Sequence, residues 1–162
     1  MCGIVGITSS KEVTSRIIGS LKKLEYRGYD SAGIATISEN NINEVKCEGR
    51  VNELEKNVNQ IKLSGRIGIG HVRWATHGKP STINAHPHSS DNVSVVHNGI
   101  IENSTILKKI LEKKGYKFKS QTDTEVIVHL VTDYLKKNNI KNTIIKVLKK
   151  LHGSFALGII FK

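Results

Sequence analysis

The sequence predicts an α+β fold built on antiparallel sheets, and three observations carry that reading. Short apolar strands and amphipathic helices interleave from one end of the chain to the other. Asn40-Asn41 marks a tight turn between two strand-like runs, and a link that short joins antiparallel neighbours. A length of 162 residues, 38% of them hydrophobic, suits one domain with a sizeable core.

The elements follow in order. Residues 3–8 read as a short buried strand, and residues 11–25 as a helix whose Val13, Ile17, Leu21 and Leu24 share one face. Tyr26-Arg27-Gly28-Tyr29-Asp30 is a turn-like break. Residues 32–38 and 43–47 pair as a hairpin across Asn40-Asn41. Val51, Leu54, Val58 and Ile61 recur at helical spacing. Residues 67–72 read as a strand in which Gly68 and Gly70 let another backbone come close. Residues 73–91 lack a clear period, hold both prolines (Pro80 and Pro87), and form the long loop where function is expected. A strand over 93–96 ends at His97-Asn98-Gly99, where Asn-Gly signals a turn. A helix spans 104–114 with Gly115 just past its end. Thr122-Asp123-Thr124-Glu125 has capping-box spacing and opens a helix running to about Lys137. A last helix over 142–151 and an apolar strand over 153–161 complete the chain.

Composition narrows the function classes. The formal charge is +11, and the isoelectric point is about 9.7. The lysines come in pairs along helical faces (Lys22 and Lys23, Lys108 and Lys109, Lys136 and Lys137), which is the pattern of a solvated surface. Aromatic residues are 5%, too few for a base-stacking platform, so no nucleic-acid partner is expected. No stretch reaches the length of a membrane span, and no secretory leader is visible. Cys2 and Cys47 make a poor disulfide framework, and a reducing, cytoplasmic compartment is the expectation.

Cys2 is the first candidate functional residue. With Met1 removed, it carries a thiol and a free α-amine together. An α-amine titrates near pH 8 and a thiol near 8.5, so the amine accepts a proton under neutral conditions and can activate the sulfur. Cysteine is small enough at the second position for removal of Met1 to be expected.

Six segments stand out together: CGIVGI from Cys2, YRGYDSAG from Tyr26, RWATHG from Arg73, NAHPH from Asn84, HNGIIEN from His97 and TDTE from Thr122. This pattern resembles the glutaminase domain of the glutamine–fructose-6-phosphate aminotransferase family, a class II (N-terminal nucleophile) glutamine amidotransferase. The resemblance implies that Cys2 attacks the side-chain amide of L-glutamine, and that the Asn98 amide and the Gly99 backbone N–H stabilise the oxyanion. It implies that Arg73 binds the substrate α-carboxylate as a planar fork and Asp123 the α-ammonium, with further contacts from Thr76 and His77. It assigns Trp74 to a closing loop on the ammonia route, and Arg27 and Gly28 to the wall of the nucleophile's pocket. No cofactor and no metal are implied.

The implied fold is an N-terminal nucleophile hydrolase sandwich, α/β/β/α, with two antiparallel sheets. The family's glutaminase domain continues past Lys162, so residues 2–162 are expected to be a C-terminally incomplete domain with exposed sheet edges and reduced stability. The sugar-phosphate isomerase module, through which fructose 6-phosphate would be engaged, is expected to be absent from residues 2–162, and the parent enzyme is expected to be a homo-oligomer.

Three rival readings remain. His71, His77, His86, His88 and His97 crowd into a short span and offer imidazoles to a metal, although no acidic residue or cysteine repeats at ligand spacing. The chain is otherwise a non-catalytic remnant that binds glutamine or a partner, or a basic binding module.

Overall fold

A computed structural model of the chain describes residues 2–75 and 78–162. Its first sheet has the order β1-β4-β2-β3, from β1 (Gly3–Thr8), β2 (Ser31–Ser38), β3 (Asn41–Glu48) and β4 (Ile67–Arg73). Its second has the order β5-β6-β7, from β5 (His88–Ser89), β6 (Val93–Ile101) and β7 (Gly153–Phe161). Every pairing in both sheets is antiparallel. Helices α1 (Thr14–Leu24) and α2 (Val51–Ile61) cover the outer face of the first sheet. Helices α3 (Ser104–Lys113), α4 (Thr124–Leu135) and α5 (Ile140–Leu148) pack against the second.

Strand periodicity explains the layering. In β1, Val5 and Ile7 join the helix-facing core, while Ile4 faces the other sheet. In β2, Ile34 packs outward with the helices and Ala35 inward. Val95 and Ile159 likewise face α3 to α5, whereas Val96 and Ile160 meet Ala35 and Ile69 between the sheets. Burying each such aliphatic side chain is worth roughly 1.5–3 kcal/mol, so three stacked apolar layers hold the sandwich. The helix on the first sheet sits close because Gly70 has no side chain. A Cβ there would lie 2.6 Å from Ile17 Cγ2.

Several sequence expectations shift. β6 does not end at Val96. It runs on through His97, Asn98 and Gly99, with Asn98 opposite Ala156 and Gly99 opposite Phe155, so the Asn-Gly pair is strand rather than turn. A nine-residue partner in β7 offers a continuous ladder, and Gly99 meets it at a positive φ of +127° that glycine tolerates. The β2–β3 hairpin turns at Glu39-Asn40, both at positive φ, one residue earlier than Asn40-Asn41. The capping box does not form. Asp123 occupies the cap position without a side-chain cap bond, and the Glu125 carboxylate accepts instead from the Lys119 and Ser120 N–H groups. α5 starts at Ile140, because Asn139 caps it through the Asn142 N–H. Within the expected loop, His88 and Ser89 form β5. β1 and β3 end one sheet and β5 and β7 the other, each with one edge unpaired among the described residues. Among the described residues no helix is long and apolar enough to cross a membrane.

Candidate active site

The register of β1 on β4 pairs Gly3 with Val72, which sets Cys2 beside the end of β4 where Arg73 and Trp74 leave the sheet. The Trp74 N–H donates to Cys2 Sγ at 3.2 Å, and the sulfur lies 3.5 Å from the Trp74 carbonyl. The Cys2 carbonyl accepts from Arg27 Nε at 3.2 Å and from Asn98 Nδ2 at 3.1 Å. Gly28 acts through the same backbone. A Cβ on it would stand 2.6 Å from Arg73 C and 2.8 Å from Trp74 N, so a larger residue pushes the sulfur's N–H donor away.

Asp30 fixes that segment from below. Its N–H donates to the Arg73 carbonyl, and its carboxylate accepts from the Ala75 N–H and the Ser31 hydroxyl. Sequence reasoning passed over Asp30, although it stands inside the YRGYDSAG segment. Trp74 is 48% exposed, with its ring edge-on to Tyr29 at 5.6 Å. Thr76 and His77 lie outside the described residues.

The second sheet supplies the opposite wall. Asn98 sits on β6, next to Gly99. Arg73 is buried, with Nη2 and Nη1 reaching the Gly78 and Lys79 carbonyls at 3.3 and 3.4 Å. Asp123 is buried as well. Its Oδ2 accepts from the Ile101 N–H at 2.7 Å, and its Oδ1 lies 3.9 Å from His97 Nδ1. These groups enclose a cavity of about 520 Å³ whose wall includes Cys2, Arg73, Asn98, Gly99 and Asp123. Arg27 and Trp74 border it as well. A nucleophile, an amide donor, a cation and an anion thus face one space of small-ligand size.

Behind this wall lies a buried histidine cluster. The His71 and His86 rings stack at 4.3 Å, and His88 meets His86 edge-on at 4.9 Å. Burial first, then the neighbouring imidazoles or Lys46 and Arg73, keeps them neutral. His71 is pushed down to about 4, His88 to about 3, and His86 well below its ordinary value. A hydroxyl or an amide meets one nitrogen of each of these rings. Thr124 Oγ1 lies 2.7 Å from His86 Nε2 and 2.9 Å from His97 Nδ1, and Thr122 Oγ1 lies 3.0 Å from His88 Nε2. Among the described residues no three His, Cys, Asp or Glu are placed to hold a metal ion.

The family model for a glutamine amidotransferase domain matches residues 71–162. Over 162 residues the chain is 56% identical to the glutamine–fructose-6-phosphate aminotransferase (isomerizing) of Clostridium acetobutylicum, covering 99% of this chain and 26% of that protein. It is 51% identical to the protein of the same name from Bradyrhizobium diazoefficiens, covering 99% of this chain and 27% of that one. The chain therefore spans about a quarter of the length of the curated relatives it matches. Among solved structures, the glutamine phosphoribosylpyrophosphate amidotransferase from B. subtilis, complexed with ADP and GMP, superposes with a TM-score of 0.80 at 31% identity, covering 99% of this chain and 34% of that one. A glutamine aminotransferase class-II domain protein from Silicibacter pomeroyi shares the fold at a TM-score of 0.58 and 13% identity, over 81% of this chain and 64% of its own. The four-layer architecture is that of the N-terminal nucleophile hydrolases, and the chain belongs to the glutamine amidotransferase domain family.

Proposed function

We propose that residues 2–162 hydrolyse L-glutamine to glutamate and ammonia through a thioester on Cys2, and that they are the glutaminase part of a glutamine–fructose-6-phosphate aminotransferase. The observation that supports this most directly is one cavity whose wall holds Cys2, the Asn98 amide bonded to the Cys2 carbonyl, Arg73 and Asp123. An opposed cation and anion match the α-carboxylate and α-ammonium of a free amino acid. The side-chain amide then points toward the sulfur.

With Met1 removed, the Cys2 amine takes the thiol proton as the sulfur adds to the amide carbon. Charge builds on the amide oxygen, where Asn98 Nδ2 and the Gly99 N–H stabilise it. Collapse breaks the C–N bond, the amine returns its proton to the leaving nitrogen, and ammonia departs. Water then adds to the thioester, and its cleavage restores the thiol and releases glutamate. Thr76, His77 and Trp74 belong to the loop that closes over the substrate in this reading. Fructose 6-phosphate, named in the relatives' activity, is aminated by the portion of the parent protein that those relatives carry beyond this domain. A homo-oligomeric parent and a cytoplasmic setting belong to the same proposal.

The test is glutamate release from L-glutamine by protein shown by intact mass to lack Met1. Turnover abolished in Cys2→Ala, together with stoichiometric labelling of the wild-type thiol by a glutamine-like electrophile, is the expected result. Glutamine binding without turnover in correctly processed protein rejects the reaction in favour of a non-catalytic remnant.

A further inference from the structure

We propose that His71 is a positioning residue that sets the orientation of the Asn98 amide. The proposal rests on the glutaminase reading above for its kinetic consequence, but not for its structural content. His71 lies on β4 in the first sheet, while Asn98 lies on β6 in the second, so the contact crosses between the two sheets.

The argument starts from what each atom can do. His71 Nε2 stands 3.1 Å from the His97 carbonyl oxygen and 2.9 Å from Asn98 Oδ1. A carbonyl only accepts, so Nε2 carries the proton. The Asn98 atom next to it must then be an acceptor, its oxygen, and the NH₂ group faces the other way. There it donates to the Cys2 carbonyl at 3.1 Å and borders the cavity. Turning the amide over would set NH₂ against N–H at one end and oxygen against oxygen at the other. Water cannot relieve the clash at the His71 end, because that ring is fully buried.

The rest of the ring fits this assignment. Burial chiefly holds the imidazole neutral, with an ordinary pKa of 6.5 pushed down to about 4, so one nitrogen carries no proton near pH 7. That nitrogen, Nδ1, is buried and has no hydrogen-bond partner among the described residues. An unprotonated acceptor without a partner costs less than a buried charged donor in the same place. Stacking against His86 at 4.3 Å holds the plane of the ring. One tautomer on one strand therefore decides which end of an amide on another sheet meets the nucleophile.

Two measurements test this. In protein lacking Met1, His71→Leu removes the donor and is expected to lower kcat for glutamate release about 10²–10³-fold, with KM for glutamine within about twofold, the range for losing one oriented oxyanion donor. His71→Gln, which keeps an N–H near the Nε2 position, is expected to recover most of that loss. The Asn98→Ala/His71→Leu double variant should be no slower than Asn98→Ala alone, because the two residues act as one unit. A kcat for His71→Leu within threefold of wild type, or losses that multiply in the double variant, overturns the proposal. The second measurement is independent of turnover. ¹⁵N NMR of the His71 ring near pH 7 should show Nε2 protonated and Nδ1 not. The opposite tautomer overturns the assignment even if the protein is an active glutaminase. Inactive wild-type protein with the expected tautomer and amide orientation refutes the glutaminase reading alone.

Discussion

At the scale of single residues, the placement of the sulfur depends on a residue with no side chain. Gly28 packs against the Arg73–Trp74 peptide so closely that one methyl group would displace the N–H that meets Cys2 Sγ. Gly28→Ala is expected to slow alkylation of Cys2 by a glutamine-like electrophile at least about 10-fold, while iodoacetamide, which needs no pocket, discriminates less between the two proteins. Equal rates for both reagents in variant and wild type would remove Gly28 from the site. Arg73→Lys keeps the charge but loses the planar fork. A rise in KM for glutamine of roughly 10–100-fold, with kcat changed by less than fivefold, is the expected steady-state result, since the fork grips ground state and transition state alike. Cys2, Arg73, Asn98 and Asp123 could be singled out in the sequence only through the motifs that carry the family resemblance, and the structure sets all four on the wall of one cavity. The roles of Asp30 and His71 were not legible there. Both act by holding backbone or amide groups of neighbours, and such geometry leaves no trace in residue type alone.

At the scale of elements, β6 is where sequence and structure part most usefully. Asn-Gly is the strongest turn signal in the chain, yet strand pairing to β7 carries the backbone straight through it. Long-range ladder bonds override local turn preference there. The glycine is still required, now because a Cβ at φ +127° would stand 2.0 Å from the Ser154 carbonyl oxygen. Gly99→Ala should therefore cost about 2–4 kcal/mol by forcing β6 and β7 apart, a drop of roughly 5–15 °C in Tm by calorimetry. An unchanged Tm would contradict the strand geometry. The bounds of β1, α2 and β7 were readable to the residue from apolar spacing. α1 begins later than its apolar stripe, since the Glu12 carboxylate takes up the Val13, Thr14 and Gly65 N–H groups and ties the helix start to the approach to β4. The apparent capping box at Thr122 failed for a similar reason: Glu125 was drawn to the Lys119–Ser120 backbone and Asp123 to the Ile101 N–H.

At the scale of the whole molecule, the interior between site and core is lined with neutral imidazoles, which gives stability a definite pH dependence. An unfolded chain protonates these histidines near pH 6.5, whereas folded His71 and His88 resist protonation down to about 4 and 3. Below pH 6.5 the unfolded state thus binds more protons, and stability falls by up to about 1.4 kcal/mol per pH unit for each such group. Glu125 adds a second step. Burial raises its pKa, but the His129 side chain and the Lys119 and Ser120 donors outweigh that and lower it from 4.5 to about 2, so its contribution is present above pH 4.5 and lost as pH falls toward 2. Tm should decline steeply between pH 6.5 and 5, and a flat profile from pH 7 to 5 would refute the buried neutral cluster. The seam between the sheets has one more consequence, a kinetic one. Cys2 belongs to one half of the sandwich, and the amide that faces it to the other. During refolding, selective capture of the thiol by a substrate-shaped reagent must wait until the halves have met, which makes that capture a clock for the final assembly step.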